Sequence, residues 1–156
     1  MIRTMRPADT ERVMQLWLEG NLDAHSFIPA EYWKANAPLV RRLLLQAEVY
    51  VYEEGGAIKG FAGMQGDYLA GIFVDCSARS AGIGKQLLDH IKARCARFSL
   101  KVYRQNSSAV RFYQREGLAL AGESLDEETG QREYTMTWEA PLSGGPGPKG
   151  REEGRP

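Results

Sequence analysis

The sequence predicts an α/β domain in which a mixed sheet carries helices on both faces. Helical and strand periodicities alternate through residues 1–141, a hairpin signal precedes a continuously apolar run, and no internal repeat appears. A chain of 156 residues suffices for one core, burying roughly two-thirds of the surface the unfolded chain exposes. Its 20 Lys plus Arg balance 20 Asp plus Glu, so neither nucleic acid nor an anionic membrane is expected as a partner. Cys76 and Cys95 are too few for a disulfide scaffold and lack the spacing of a metal site. A reduced cytoplasmic setting without a structural metal is expected, since the opening Met1–Pro7 has no apolar h-region and no run approaches the ~18 apolar residues of a membrane span.

Each element has its own signal. Ile2 to Arg6 reads as a short strand, and Pro7-Ala8-Asp9 opens a helix that places Val13, Met14, Trp17 and Leu18 on one face. Pro29 begins a second helix with Trp33, Ala37, Val40 and Leu44 inward. Val49–Tyr52 and Ile58–Met64 flank Glu53-Glu54-Gly55-Gly56 and make a hairpin. Tyr68–Val74 is continuously apolar, the pattern of a central strand covered on both faces. Gly82 to Arg94 carries a helical stripe of Ile83, Leu87, Leu88 and Ile91, with basic residues toward its C-terminal end. Phe98–Tyr103 is a strand, Asn106 to Arg115 a helix ended by Gly117, and Leu118–Ala121 with Tyr134–Trp138 a closing pair around the acidic loop Asp126–Gly130. The stretch 142–156 is rich in Gly and Pro without a large apolar residue beyond Leu142, and is expected to be a disordered tail.

The chemistry concentrates where the apolar strand runs into Arg79-Ser80-Ala81-Gly82-Ile83-Gly84-Lys85. Glycines there let a ligand approach the backbone, and the free amides of a helix N-terminus favour an anion. Phosphate suits both, with Arg79 and Lys85 adding positive charge. A nucleoside-triphosphate loop would need Gly where Arg79 stands and Ser or Thr where Gln86 stands. A dinucleotide fingerprint would need Gly at Leu87 and an acidic residue near Tyr103. What remains, Arg79-x-x-Gly82-x-Gly84, resembles the acyl-CoA pyrophosphate loop of the GNAT N-acetyltransferase family. Farther on, Asn106-x-x-Ala109-x-x-x-Tyr113-x-x-x-Gly117 resembles that family's second motif. Seven residues are nearly two helical turns, so Asn106 and Tyr113 share a face with Ala109 between them.

The resemblance covers nearly all of residues 1–140. It is closest to small bacterial peptidyl-lysine N-acetyltransferases, through segments such as Leu16–Glu19, His25–Ile28, Tyr32-Trp33, Leu69–Val74 and Val102–Asn106. It implies a mostly antiparallel sheet splayed at the middle, and transfer of acetyl from acetyl-CoA directly to an amine. Ser80 to Lys85 would hold the pyrophosphate with Arg79, Ile72, Phe73 and Val74 would line the pantetheine arm, and the Val74 amide would polarise the thioester carbonyl. Asn106 would contact the arm or an ordered water, and Tyr113 would protonate the departing thiolate. His25, Phe27, Tyr32 and Trp33 are candidates for the acceptor side.

Two departures are Cys76 where the family commonly has Pro and Leu118 where it has Phe. A third bears on chemistry. A lysine of pKa about 10.4 is neutral in only about 1 molecule in 2,500 at pH 7, so something must take its proton. Leu69–Val74 contains no carboxylate to do so, which leaves His25, Asp67 or a water relay as candidate bases. The expected function is acetylation of a protein lysine by a monomer or homodimer. A small-molecule amine as acceptor, or a non-catalytic acyl-CoA sensor, are the alternatives.

Overall fold

The computed structural model describes residues 1–141; the predicted tail, 142–156, lies outside the described residues. In chain order the elements are β1 (Ile2–Thr4), α1 (Thr10–Ala24), α2 (Ala30–Leu44), β2 (Glu48–Glu54), β3 (Ala57–Gln65), β4 (Tyr68–Val74), α3 (Ile83–Lys92), β5 (Arg97–Tyr103), α4 (Ser107–Arg115), β6 (Ala119–Asp126) and β7 (Gln131–Glu139). The strands make one seven-stranded sheet in the order β1-β2-β3-β4-β5-β7-β6, antiparallel except for β4 against β5.

Alternation along the strands sends every second side chain to one of two cores. On one face Leu69, Leu100 and Met136 meet Leu87, Leu88 and Ile91 of α3 and Tyr113 of α4. On the other, Val49, Val51 and Phe61 meet Val13, Leu16 and Trp17 of α1 and Trp33 of α2. The N-terminal strand is held to the start of α1 through Asp9, which accepts from the Arg3 guanidinium at 2.8 Å and the Arg6 amide at 2.7 Å.

The expected elements are present, with shifted ends and one substantive correction. β6 runs on to Asp126 and β7 begins at Gln131, because the hairpin pairing extends along the polar segment Glu123–Asp126 that carries no apolar signal. The correction concerns β4, expected to be covered on both faces. Leu69 is buried, but Ala70 is exposed and Gly71 to Val74 are only half-buried. The reason is the parallel pair: β4 and β5 are in register only at Tyr68↔Ser99 and then part. On its other edge β4 pairs with β3 through Gly63↔Gly71 and Met64↔Leu69, leaving Ala70 as an extra residue in a β-bulge at the point of divergence. The apolar run therefore borders an open cleft.

Gly60 shows how closely that cleft wall is packed. A Cβ built there would lie 2.9 Å from the Phe73 carbonyl oxygen and 3.1 Å from the Ile83 side chain. The obstacle is backbone, so β4 itself would have to move. Gly60→Ala is expected to destabilise the fold by about 1–3 kcal/mol, as overpacking typically does, lowering Tm by about 2–4 °C per kcal/mol. An unchanged melting temperature would refute this account of the wall.

Candidate active site

The parting of β4 and β5 opens a cleft of about 820 Å³. Its walls hold Ile72, Phe73 and Val74 from β4, Arg79, Ser80 and Gly82 to Lys85 from the following loop, Asn106 and Tyr113, and His25 and Trp33. Most of the residues picked out from the sequence thus meet in one place. Ala81, Phe27 and Tyr32 do not line it: Ala81 is exposed, Phe27 packs edge-on behind His25 with ring centroids 5.7 Å apart, and Tyr32 packs behind Trp33 at 5.0 Å. Asp67 also stands outside, exposed in the β3–β4 turn.

At one end the loop turns sharply, with Ser80 at φ 70° and Gly82 at φ 80° in the left-handed region. The second suits glycine, whereas Ser80 is strained there, as residues at ligand-binding turns often are. Gly82 caps α3, whose first amides face the cleft end and have no earlier turn to bond. Both loop cations already have partners. Arg79 reaches Asp23 of α1 at 2.5 Å, and Lys85 reaches Glu116 at 3.0 Å and Asp89 at 3.3 Å. Asp75 anchors the strand end through Arg12 at 2.5 Å and the Ser77 hydroxyl at 2.6 Å, contacts that hold its carboxyl well below the usual range.

At the other end, Asn106 caps α4 by accepting from the Ala109 amide, and its Nδ2 lies 3.2 Å from Nε2 of His25. The polarity of this contact follows from its neighbours. Asn21 donates Nδ2 to the Trp17 carbonyl at 2.9 Å, so its Oδ1, 3.0 Å from His25 Nδ1, must accept. His25 therefore carries its proton on Nδ1 and offers Nε2 as the acceptor for Asn106. The ring lies between Trp33, stacked at 5.4 Å, and Tyr103, edge-on at 5.0 Å, and burial pushes its pKa down to about 4. Asn21, missed from the sequence, is buried and stands four residues from both Trp17 and His25, a spacing that places all three on one helix face.

Tyr113 is 8% exposed, and burial, with a smaller contribution from Tyr68, raises its phenol above the ordinary value. Tyr68, Lys101, Tyr103 and Glu133 also line the cleft and were not singled out from the sequence. Strand parity could have put Glu133 opposite Tyr134 and Met136, but nothing local says which face of β7 borders a cleft. The residues fit a thioester carried on a phosphorylated arm. A left-handed loop with free helix-end amides stands at one end, an unpaired strand edge runs along one wall, and a buried phenol sits at the other end. Among the described residues no group of three His, Cys, Asp or Glu could hold a metal, and no helix is long and apolar enough to cross a membrane.

A splayed sheet with these features suits acyl transfer. The family described as "Acetyltransferase (GNAT) domain" matches residues 25–140, and the chain belongs to that family. It is an N-acetyltransferase whose co-substrate is acetyl-CoA. Peptidyl-lysine N-acetyltransferase YiaC of Escherichia coli is 36% identical over 140 residues, covering 88% of this chain and 96% of that protein. The solution structure of apo-form YjaB from Escherichia coli superposes with a TM-score of 0.78 at 27% identity, covering 88% of this chain and 95% of that one. The Salmonella typhimurium protein yncA, solved with its cofactor acetyl-CoA, shares the fold with a TM-score of 0.63 at 15% identity, covering 94% and 96% of the two chains.

The buried neutral imidazole has a consequence for stability. His25 takes up a proton at an ordinary pKa of about 6.5 when unfolded and only near 4 when folded, so between those values the unfolded chain binds more protons. Stability is expected to fall as pH drops from about 6.5 to about 4. The urea midpoint of the wild type should decline more steeply over this range than that of His25→Gln; equal slopes would refute the assignment.

Proposed function

We propose that the chain acetylates lysine ε-amines of proteins, with Tyr113 as general acid. The observation that carries this reading is the placement of Tyr113 and Asn106 in the same cleft as the Arg79–Lys85 loop, where the strands part. The likeness to YiaC and YjaB, both peptidyl-lysine N-acetyltransferases, supports this acceptor class.

Beyond Tyr68, the β4 edge facing β5 has no strand partner, so the backbone groups of Gly71 to Val74 on that edge are available to the amides of the pantetheine arm. Loop amides from Ser80 to Lys85 receive the pyrophosphate, with Arg79 and Lys85 exchanging carboxylate partners for phosphate oxygens. The Val74 amide polarises the thioester carbonyl as negative charge develops on its oxygen. Tyr113 donates its hydroxyl proton to the sulfur as it leaves. The phenol holds its proton at the working pH and so has one to give as the sulfur leaves. Asn106, locked by the Ala109 amide and by His25, presents a fixed amide to the arm. His25 acts as a positioning residue, because its one lone pair already receives Asn106. Unpaired cysteines, Cys76 exposed and Cys95 partly buried, suit a reduced cytoplasmic setting.

Purified protein incubated with acetyl-CoA and lysine peptides should release free thiol and add one acetyl group to the ε-amine, read by intact mass. Tyr113→Phe should leave coenzyme A affinity within a few-fold and lower turnover about 10²-fold or more. Undiminished turnover refutes the acid role, and acetylation of small amines with none of peptides refutes the protein acceptor.

A further inference from the structure

Glu133 is a carboxylate in the cleft to which no role has yet been given. Its strand neighbour Tyr134, like Met136 and Trp138, packs into the α3/α4 core, so Glu133 points to the opposite face, toward His25 and Trp33. Its register partner is Tyr103. The side chain is only 15% exposed, yet among the described residues it makes no hydrogen bond, and its nearest cation, Lys101 Nζ, stands 4.0 Å away. The comparably buried carboxylates are all satisfied: Asp9 by Arg3 at 2.8 Å, Asp75 by Arg12 at 2.5 Å and Glu116 by Lys85 at 3.0 Å. The Glu133 oxygens keep access to the open cleft, so the carboxylate is free of protein hydrogen-bond donors and available to a ligand there.

We propose that Glu133 receives the acceptor's ammonium group and takes its proton. The proposal rests on the acetyl-transfer reading above and adds the base that β4 lacks. Lys101 and Tyr103 of β5, Tyr68 of β4, Asp126 of β6, Tyr32 of α2 and the neutral His25 after α1 are the titratable groups around it. Of these only Lys101 is cationic, and it is about half exposed and free to swing away. Asp126 is occupied by the Tyr103 hydroxyl at 2.7 Å and Tyr32 by Glu128 at 3.0 Å, so neither satisfies Glu133. Burial, reinforced by Asp126, raises its pKa, which brings it closer to the working pH of a base.

The protons balance as follows. A cationic primary amine gives one proton to Glu133, and its freed nitrogen pair forms a bond to the thioester carbonyl carbon. The carbon–sulfur bond then breaks, and the sulfur takes the Tyr113 hydroxyl proton. The second proton lost from nitrogen restores the phenol by way of solvent, and Glu133 releases its own to the open face. The products are one amide, one thiol and one proton.

The test is Glu133→Gln, with melting temperature and coenzyme A affinity expected within two-fold or a degree or so of wild type. On a lysine peptide kcat/KM should fall about 10²-fold. The wild-type kcat/KM should rise with pH through a single carboxyl ionisation and then flatten. The variant should lack that limb and climb tenfold per pH unit toward the amine's own pKa. On a peptide offering an α-amine, whose pKa of about 7.7–8.0 leaves far more of it neutral, the penalty should be at least tenfold smaller. Wild-type activity in Glu133→Gln, or an equal penalty on both amines with the limb retained, overturns the proposal. If the wild type acetylates small amines and no lysine peptide, the protein-lysine reading alone fails, and the same comparison on the accepted amine decides the role of Glu133.

Discussion

Most of what this chain can do depends on two parallel strands being unable to stay together. β4 and β5 meet at Tyr68↔Ser99 and separate, while the bulge at Ala70 turns β4 away on its other edge. Separation leaves the backbone groups on the β5-facing edge of Gly71 to Val74 without a strand partner, while the other edge stays paired with β3, and a ligand strand or water must offset that cost. It also brings the N-termini of two helices, α3 after β4 and α4 after β5, to the two rims of one cleft. The divergence tolerates little adjustment, since β3 approaches the Phe73 carbonyl so closely at Gly60 that even a methyl group has no room.

Electrostatics then divide the cleft into two ends. The loop end gathers Arg79, Lys85 and helix amides, with each cation held by a carboxylate. The far end holds Glu133 beside Tyr103, whose hydroxyl is held from behind by Asp126, a setting for a cation. Between them, the chain from the Trp17 carbonyl through Asn21 and His25 to Asn106 fixes the direction of every hydrogen bond along its length. Because its ends are tied to the Trp17 carbonyl and the Ala109 amide, the relay couples α1 to the start of α4. A donor with a negative arm and an acceptor with a positive head would thus approach from different sides, although the chain as a whole carries formal net charge 0.

The sequence by itself determined the elements, the location of the glycine loop and the pairing of Asn106 with Tyr113. All three are local: they rest on periodicity, on glycines where the backbone must turn, and on residues seven apart on one helix. It also showed that β4 carries no carboxylate, and so posed the question of the base. Tertiary structure decided the rest. The apolar run of β4 looked like a strand buried on both faces because hydrophobicity does not distinguish a side chain covered by protein from one bordering a ligand cleft. Phe27, Tyr32 and Trp33 looked equivalent, yet only Trp33 reaches the cleft, since α2 presents its neighbours from behind. For Glu133 and Lys101, strand parity gives a face but nothing local says that the face borders a cleft. They lie on strands joined to the cleft only by the sheet order β4-β5-β7, and that long-range pairing brings a carboxylate into the cleft wall.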